Sequence, residues 1–422
     1  MDLSAQEVID GIFSKKALET PSDTVKPDEL ELELPEWYDE KKFKKAQRFY
    51  WENCFALTTT MLQGLLAVLA VPSILRVLVG SRRSSSLYTS YKRYLSTILH
   101  TTTWFEYDLK PNTRSWKSLY TVRSRHLRAG LSSKLRGGGV VSQRDIALTQ
   151  FGFMGFALLK PDKFGLRQLE EGDWDAYIHF WRTICHMIGL QDRYNLCRNT
   201  VDETREVCQA VLERVYTPCL ENVPEYFEHM ARVLLESMWC VNPTINVNAM
   251  LYFCRNLADV PGYVYTEAER QDLQDKIKKQ LKGKPLDTGV ESTSLIQKSV
   301  VEGLPGRPPR LIYYRDFETV DSAPEYKNLE FWAKYGVNFA ALVAYLHTTY
   351  LGRLYLKWNY LYSLLLMKYF PYLAFFKFGI RASFVNIFQE DPTDDTKPKP
   401  NSEYYKPKEP EPWYRIILGA FW

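Results

Sequence analysis

Apolar positions recur every three or four residues through most of the chain, while period-two alternation is confined to Leu311–Tyr314. The pattern predicts an all-α fold, a large helical bundle-like single domain. From Ser90 two helices are expected around a turn at Lys110-Pro111-Asn112, the second passing through TVRSRHLRAG to Gly130, with the glycines at 137 to 139 closing that element. The next helix starts near Ser142, carries Asp145 in its first turn where the helix dipole favours a negative charge, and runs apolar to Leu159 before Pro161 stops it.

The chain divides into five parts on the same pattern. Residues 1–36 are acidic, polar and broken by Pro21, Pro27 and Pro35, and are expected to form a loosely ordered leader. A helical domain follows over 37–265, then a charged, Gly- and Pro-rich excursion over 266–310. An aromatic and basic helical region spans 311–390, and 391–422 form a flexible Pro- and charge-rich tail whose final WYRIILGAFW has the composition to dock on a core or a membrane.

Two segments raise the question of a membrane. Cys54 to Leu75 is a 22-residue run without a charge, long enough to cross a bilayer, but its threonines, Gln63, Gly64 and Pro72 equally suit a buried core helix. Between Glu330 and Glu390 there is no acidic residue, while Lys334, Arg353, Lys357, Lys368, Lys377 and Arg381 are spread among Tyr, Phe, Leu and Trp. Rings at headgroup depth and cations facing anionic lipid fit a membrane surface; core helices with snorkelling lysines are the alternative. Tyr335 to Gly352, 18 residues without an acidic or basic charge, is of borderline spanning length.

Composition narrows the possibilities. With 54 basic against 50 acidic residues in 422, the net charge of +4 argues against a dedicated nucleic-acid binder, which needs a basic surplus. The seven cysteines include no CxxC unit, no two lying closer than eleven positions, so they read as free thiols in a reducing compartment. The amino terminus lacks the basic start and apolar run of a cleavable secretory signal, so the bulk of the chain is expected to face the cytosol. Nucleophile elbow, phosphate loop, dinucleotide fingerprint and HExxH are all missing.

The most informative helix is DWDAYIHFWRTICHMIGL, from Asp173 to Leu190. Successive 100° steps place Trp174, Tyr177, Ile178, Trp181, Ile184, Cys185 and Ile188 on one face, and Phe180, Met187 and Leu190 carry the apolar character around. What remains is a narrow polar stripe of Asp175, His179, Arg182 and His186. Such a stripe on a buried helix needs partners inside the protein or in a ligand, unless it faces water. His179 and His186 stand roughly 10.5 Å apart along the axis, too far to share one ion, and Asp175 is spaced to orient His179. A second constellation gathers Arg123, Arg125, His126 and Arg128, a solvated face or an anion clamp. Thr149, Gly152 and Gly155 recur at three-residue intervals, which lets a helix or a flat ligand approach closely.

YLSTILHTTTWFEYDL, SLYTVRSRH, VSQRDIALTQFGFMGFALL and AYIHFWRTICHMIGLQDRYNL, in this order over about residues 37–260, resemble the MpaB-type ER-bound oxygenases and the rubber oxygenases known as latex clearing protein, most closely their insect-type members. The resemblance implies an all-helical, globin-like domain that in the rubber oxygenases holds a haem b and cleaves isoprenoid double bonds with dioxygen. It places the conserved arginine on Arg123, a histidine on His126, and a family threonine position on Leu127. The acidic base falls near Glu106, the conserved threonine on Thr149, and the motif histidine on His186.

One departure stands out: the proximal haem histidine is matched by Phe151, which cannot coordinate iron. His186 is then the first choice as axial ligand, with His126 and His179 behind it and Arg182 and Thr149 beside the cofactor. Two functions follow. One is a membrane-associated oxygenase acting on a lipid or isoprenoid, at the endoplasmic reticulum facing the cytosol, with Arg123 holding a propionate or an oxygen-derived anion and Glu106 and His126 completing the catalytic set. The other is a haem-free relative that binds or carries an apolar ligand in the inherited cavity. A redox enzyme with an unrecognised metal lacks a ligand cluster.

Overall fold

The structure, a computed structural model, describes residues 3–26, 29–281, 318–394 and 413–414. They are helical throughout, with a single isolated bridge between Pro21 and Ser142. The excursion beyond Leu281, the Leu311–Tyr314 alternation and most of the tail, including the last eight residues, lie outside the described residues.

The leader is not loose. Ala5–Ile12 (α1) and Lys15–Glu19 (α2) are helices, the first opened by a reciprocal cap between Ser4 and Glu7. Val8 and Ile12 are fully buried. The polar composition concealed a short stripe, Ala5, Val8, Ile9 and Ile12, at helical spacing. Beyond α2 the chain pairs with the loop before the central helix, Ser22 N–H donating to Val141 O at 2.7 Å and Gln143 N–H to Thr20 O at 2.9 Å.

Glu40–Glu52 (α3), Cys54–Leu69 (α4), Pro72–Ser81 (α5), Leu87–Glu106 (α6), Arg114–Leu135 (α7), Gln143–Leu159 (α8) and Asp173–Met187 (α9) form the centre. Val201–Val211 (α10), Thr217–Glu221 (α11), Phe227–Met238 (α12), Val247–Leu257 (α13) and Glu267–Leu281 (α14) follow. The uncharged 54–75 run breaks after Leu69, and α4 and α5 meet at a 92° bend. No single helix among the described residues is long and apolar enough to cross a membrane. Instead α4 is packed into the core against α8, where a methyl group added to Gly64 would overlap the carbonyl of Gly152. Only a residue without a side chain permits this approach.

Helix α8 starts where its cap predicts: Ser142 Oγ accepts from Asp145 N–H, and the Asp145 carboxylate accepts from Ser142 N–H. A column of rings joins α3, α6 and α9, with Tyr50 stacked on Phe105 at 3.9 Å and Phe105 on Phe180 at 4.0 Å.

The acid-free region forms Phe331–Thr348 (α15), Tyr350–Tyr369 (α16) and Tyr372–Phe378 (α17). Helix α16 lies against the body through Leu356, Tyr360, Leu364 and Met367, while Tyr355, Trp358, Tyr362 and Tyr369 point outward and are each at least 59% exposed.

Candidate functional site

His179, Arg182 and His186 of the polar stripe of α9 find their partners within the protein, in Trp37 and Asp39 just ahead of α3 and in the loop that follows α9. Asp39 N–H donates to His179 Nε2 at 3.0 Å, so the Asp175 carboxylate, which is exposed, does not orient this imidazole. Trp37 presents its edge to both His179 and His186 at 5.8 Å, and the Arg182 guanidinium lies 4.4 Å from the Trp37 ring. Arg182 also makes a two-pronged contact with Asp192 and donates to Asn199 Oδ1. Burial lowers both histidines below their ordinary pKa, His179 to about 4, so they stand neutral.

The arginines of α7 are engaged as well. Arg123 Nε donates to Asp23 Oδ2 at 2.7 Å, beside Gly189. Gly189 has φ +108°, a conformation that strains any side chain, and a methyl group there would lie 3.2 Å from the Ser22 carbonyl and the Asp23 carboxylate. Arg125 donates to the carbonyls of Ile387 and Gln389, and Arg128 to Glu390. The cluster therefore clamps the chain's own leader and carboxyl-terminal segment.

The residues singled out from the sequence thus fall into separate places. His179, Arg182 and His186 gather around Trp37, and Arg123 meets Asp23 of the leader. His126 lies on α7 near Arg93 and Arg125, with Nδ1 buried and unpartnered, and burial lowers its pKa to about 4. His100, which sequence reasoning passed over, lies close by; its Nδ1 bonds Ser118 Oγ at 2.7 Å and its Nε2 faces Arg125. Glu106 ends α6 at the surface, paired with Lys368 at 3.0 Å. Thr149 turns its hydroxyl onto the Asp145 carbonyl of its own helix.

Phe151 is completely buried, stacked on Tyr216 at 4.6 Å and edge-on to Phe156 at 5.4 Å. Its neighbour Gly152 lies against the backbone of α4. A flat macrocycle has no room at this residue, so the side chains present do not fit a haem at the position that the resemblance implies. Among the described residues no three His, Cys, Asp or Glu side chains are placed to hold a metal ion, so His186 has no co-ligands of that kind. The cysteines are free and buried.

The space in the molecule lies elsewhere. A cavity of about 1430 Å³ opens between α4, α6, the turn from α12 to α13, α15 and α16. Its floor includes Tyr50, Ala56, Met61 and Tyr360, with Tyr50 and Tyr360 hydroxyls 2.7 Å apart. Four of its threonines read as polar in sequence yet present an apolar wall. Thr59, Thr97, Thr101 and Thr102 each donate the hydroxyl to the carbonyl four residues earlier, at 2.8–3.1 Å. Along α15 the lining positions are Trp332, Tyr335, Gly336, Phe339, Ala340, Val343, Ala344 and His347, one continuous helical face roughly 22 Å long. His347 Nδ1 donates to Gly165 O at 3.1 Å, and burial holds the imidazole neutral.

Residues 48–274 match the family model described as ER-bound oxygenase mpaB/B'/Rubber oxygenase, catalytic domain. The chain belongs to this oxygenase family. It is 32% identical over 95 residues to a rubber oxygenase of Streptomyces sp. (strain K30), a match that spans 22% of this chain and 21% of that protein. Among solved structures, latex clearing protein LCP in the closed state superimposes with a TM-score of 0.44 at 17% identity, over 80% of this chain and 89% of that one.

Proposed function

We propose that this member of the oxygenase family binds a lipid or isoprenoid in the cavity between α4, α6, α15 and α16, and that it does so without a haem beside Phe151. The observation that carries the reading is the cavity wall: a volume above the range of about 300–1,000 Å³ typical of small-molecule sites, lined along α4, α6 and α15 by aromatic and aliphatic groups and by threonines whose hydroxyls are turned to their own helices, with polar groups that include Lys163, Arg232, Glu236, Asn242, Asn248 and Glu330 elsewhere on the wall. A long apolar ligand buries the aromatic, aliphatic and threonine part of that wall, and the polar part is suited to a head group. Family membership supports oxygen-dependent conversion of the same ligand as the second reading.

Such ligands reside in membranes, and the reading we propose includes attachment of the chain to a membrane, at the endoplasmic reticulum facing the cytosol. Support comes from the row of exposed rings on α15 and α16 and the absence of acidic residues from 331 to 389.

Titration of the full chain with a fluorescent long-chain isoprenoid alcohol tests the binding. Saturation near one equivalent is expected, with loss of binding in Ala340→Trp, which fills the middle of the α15 face. Equal binding by the filled variant would refute the cavity assignment.

A further inference from the structure

The threonine wall of the cavity has an exception in Thr58. Its hydroxyl meets that of Tyr50 at 3.3 Å, where Tyr50 from α3 and Tyr360 from α16 bring their own hydroxyls 2.7 Å apart. Thr102 on α6 lies 3.4 Å from the Tyr360 hydroxyl. All four residues line the cavity, and both phenols are buried, at 1% and 6% exposure. A polar spot assembled from four helices is thus set into the apolar part of the wall.

The protons of this spot do not all find good acceptors. Whichever phenol donates across the 2.7 Å bond, the proton of the other is left with Thr102 at 3.4 Å or Thr58 at 3.3 Å. Both distances exceed the roughly 2.5–3.0 Å of an effective O–H···O bond. Thr102 offers only an acceptor, because its own proton goes to the Ile98 carbonyl at 2.8 Å. A buried donor held at such distances forfeits much of its bond, so an acceptor placed beside it in the cavity is favoured. The pair is held ready for one. The Tyr50 ring lies on Phe105 at 3.9 Å with the planes 2° apart, and Lys357, three residues before Tyr360, is tied at 2.7 Å to Glu52, two residues after Tyr50.

We infer that Tyr50 and Tyr360 form a carbonyl subsite, in which the second phenol proton is donated to a carbonyl oxygen carried on the apolar chain of the cavity's ligand. The inference rests on the cavity reading proposed above and narrows its ligand to long-chain ketones, aldehydes or esters. A carbonyl brings two lone pairs and no proton, whereas a hydroxyl brings a proton that needs an acceptor of its own. A hydrocarbon leaves the phenol with Thr58 or Thr102. The subsite is distinct from the polar part of the wall at Arg232, Asn248 and Glu330, which arises from α12, α13 and the start of α15.

The test uses the full chain, with a long-chain isoprenoid methyl ketone and the hydrocarbon of the same skeleton each competing against the fluorescent isoprenoid alcohol. The ketone is expected to displace the alcohol at about fivefold lower concentration than the hydrocarbon, the scale of one hydrogen bond. The infrared stretch of the bound, isotope-labelled ketone carbonyl should lie at lower wavenumber than in an alkane solvent. Tyr50→Phe/Tyr360→Phe removes both protons and should abolish the preference and the infrared shift together. The preference and the shift are first read on the unmodified chain, so they decide the matter even where the double variant fails to fold. Equal competition by ketone and hydrocarbon, an unshifted carbonyl, or a preference that survives in the folded double variant overturns the carbonyl subsite while leaving the cavity reading intact. Failure of the unmodified chain to bind the fluorescent alcohol and both competitors overturns the two together.

Discussion

Asp23 and Arg123, one hundred positions apart, form a 2.7 Å ion pair in which both side chains are largely buried. It joins the leader to the arginine that aligns with the conserved arginine of the family. Removing one member of a buried pair leaves the other charge uncompensated, so Asp23→Ala should destabilise the chain on the order of 3 kcal/mol. Asp23→Ala/Arg123→Met should recover part of that loss, because the stranded charge is gone. Denaturant melts of the two variants check this, and a double variant weaker than the single one would mean that the pair does not hold the leader.

His126 provides a pH dependence. Its folded pKa is about 4 against 6.5 for the free group, so the unfolded chain takes up a proton where the folded chain does not. The contribution is fully present above pH 6.5 and is lost as pH falls toward 4. His126→Phe should show a shallower loss of stability than the unmodified chain across that window, with little difference at neutral pH. Parallel slopes in thermal melts would mean that the imidazole is not buried neutral.

The crossing of α4 and α8 predicts steric intolerance. Gly64→Ala places a methyl group on the backbone of Gly152 and should cost at least about 1–3 kcal/mol through overpacking. Gly130→Ala meets only Val141 at ordinary contact distance and should be neutral or slightly stabilising, since the helix interior disfavours glycine. Equal effects in thermal melts would contradict the close crossing.

The same packing predicts that Phe151→His does not create a haem protein. The new imidazole would sit between Tyr216 and Phe156 with no slot beside it. Haem added to the folded variant should give no specific Soret band; a stoichiometric band would show that α4 and α8 separate.

Helix boundaries were legible where local chemistry sets them. The cap at Ser142 and Asp145 and the stop at Pro161 bracket α8, and the apolar faces of α9 are buried as its periodicity predicts. The partners of the polar stripe were not legible, because Asp39 lies 140 residues from His179 and nothing in the local pattern links them. The leader hid in its composition: Ala5, Val8, Ile9 and Ile12, buried together on one short helix, outweigh the surrounding acids once a surface is there to receive them. The cavity was the least visible feature, being assembled from helices far apart in sequence and walled by threonines that count as polar until their hydroxyls are located.

Whether the cavity holds a long apolar ligand is read by mass spectrometry of an organic extract from the full chain purified with its native lipid. Close to one equivalent of a lipid or isoprenoid per chain is expected, and its loss from Ala340→Trp folded to the same extent. A folded, unmodified chain that yields no such molecule and takes none up from vesicles would contradict it.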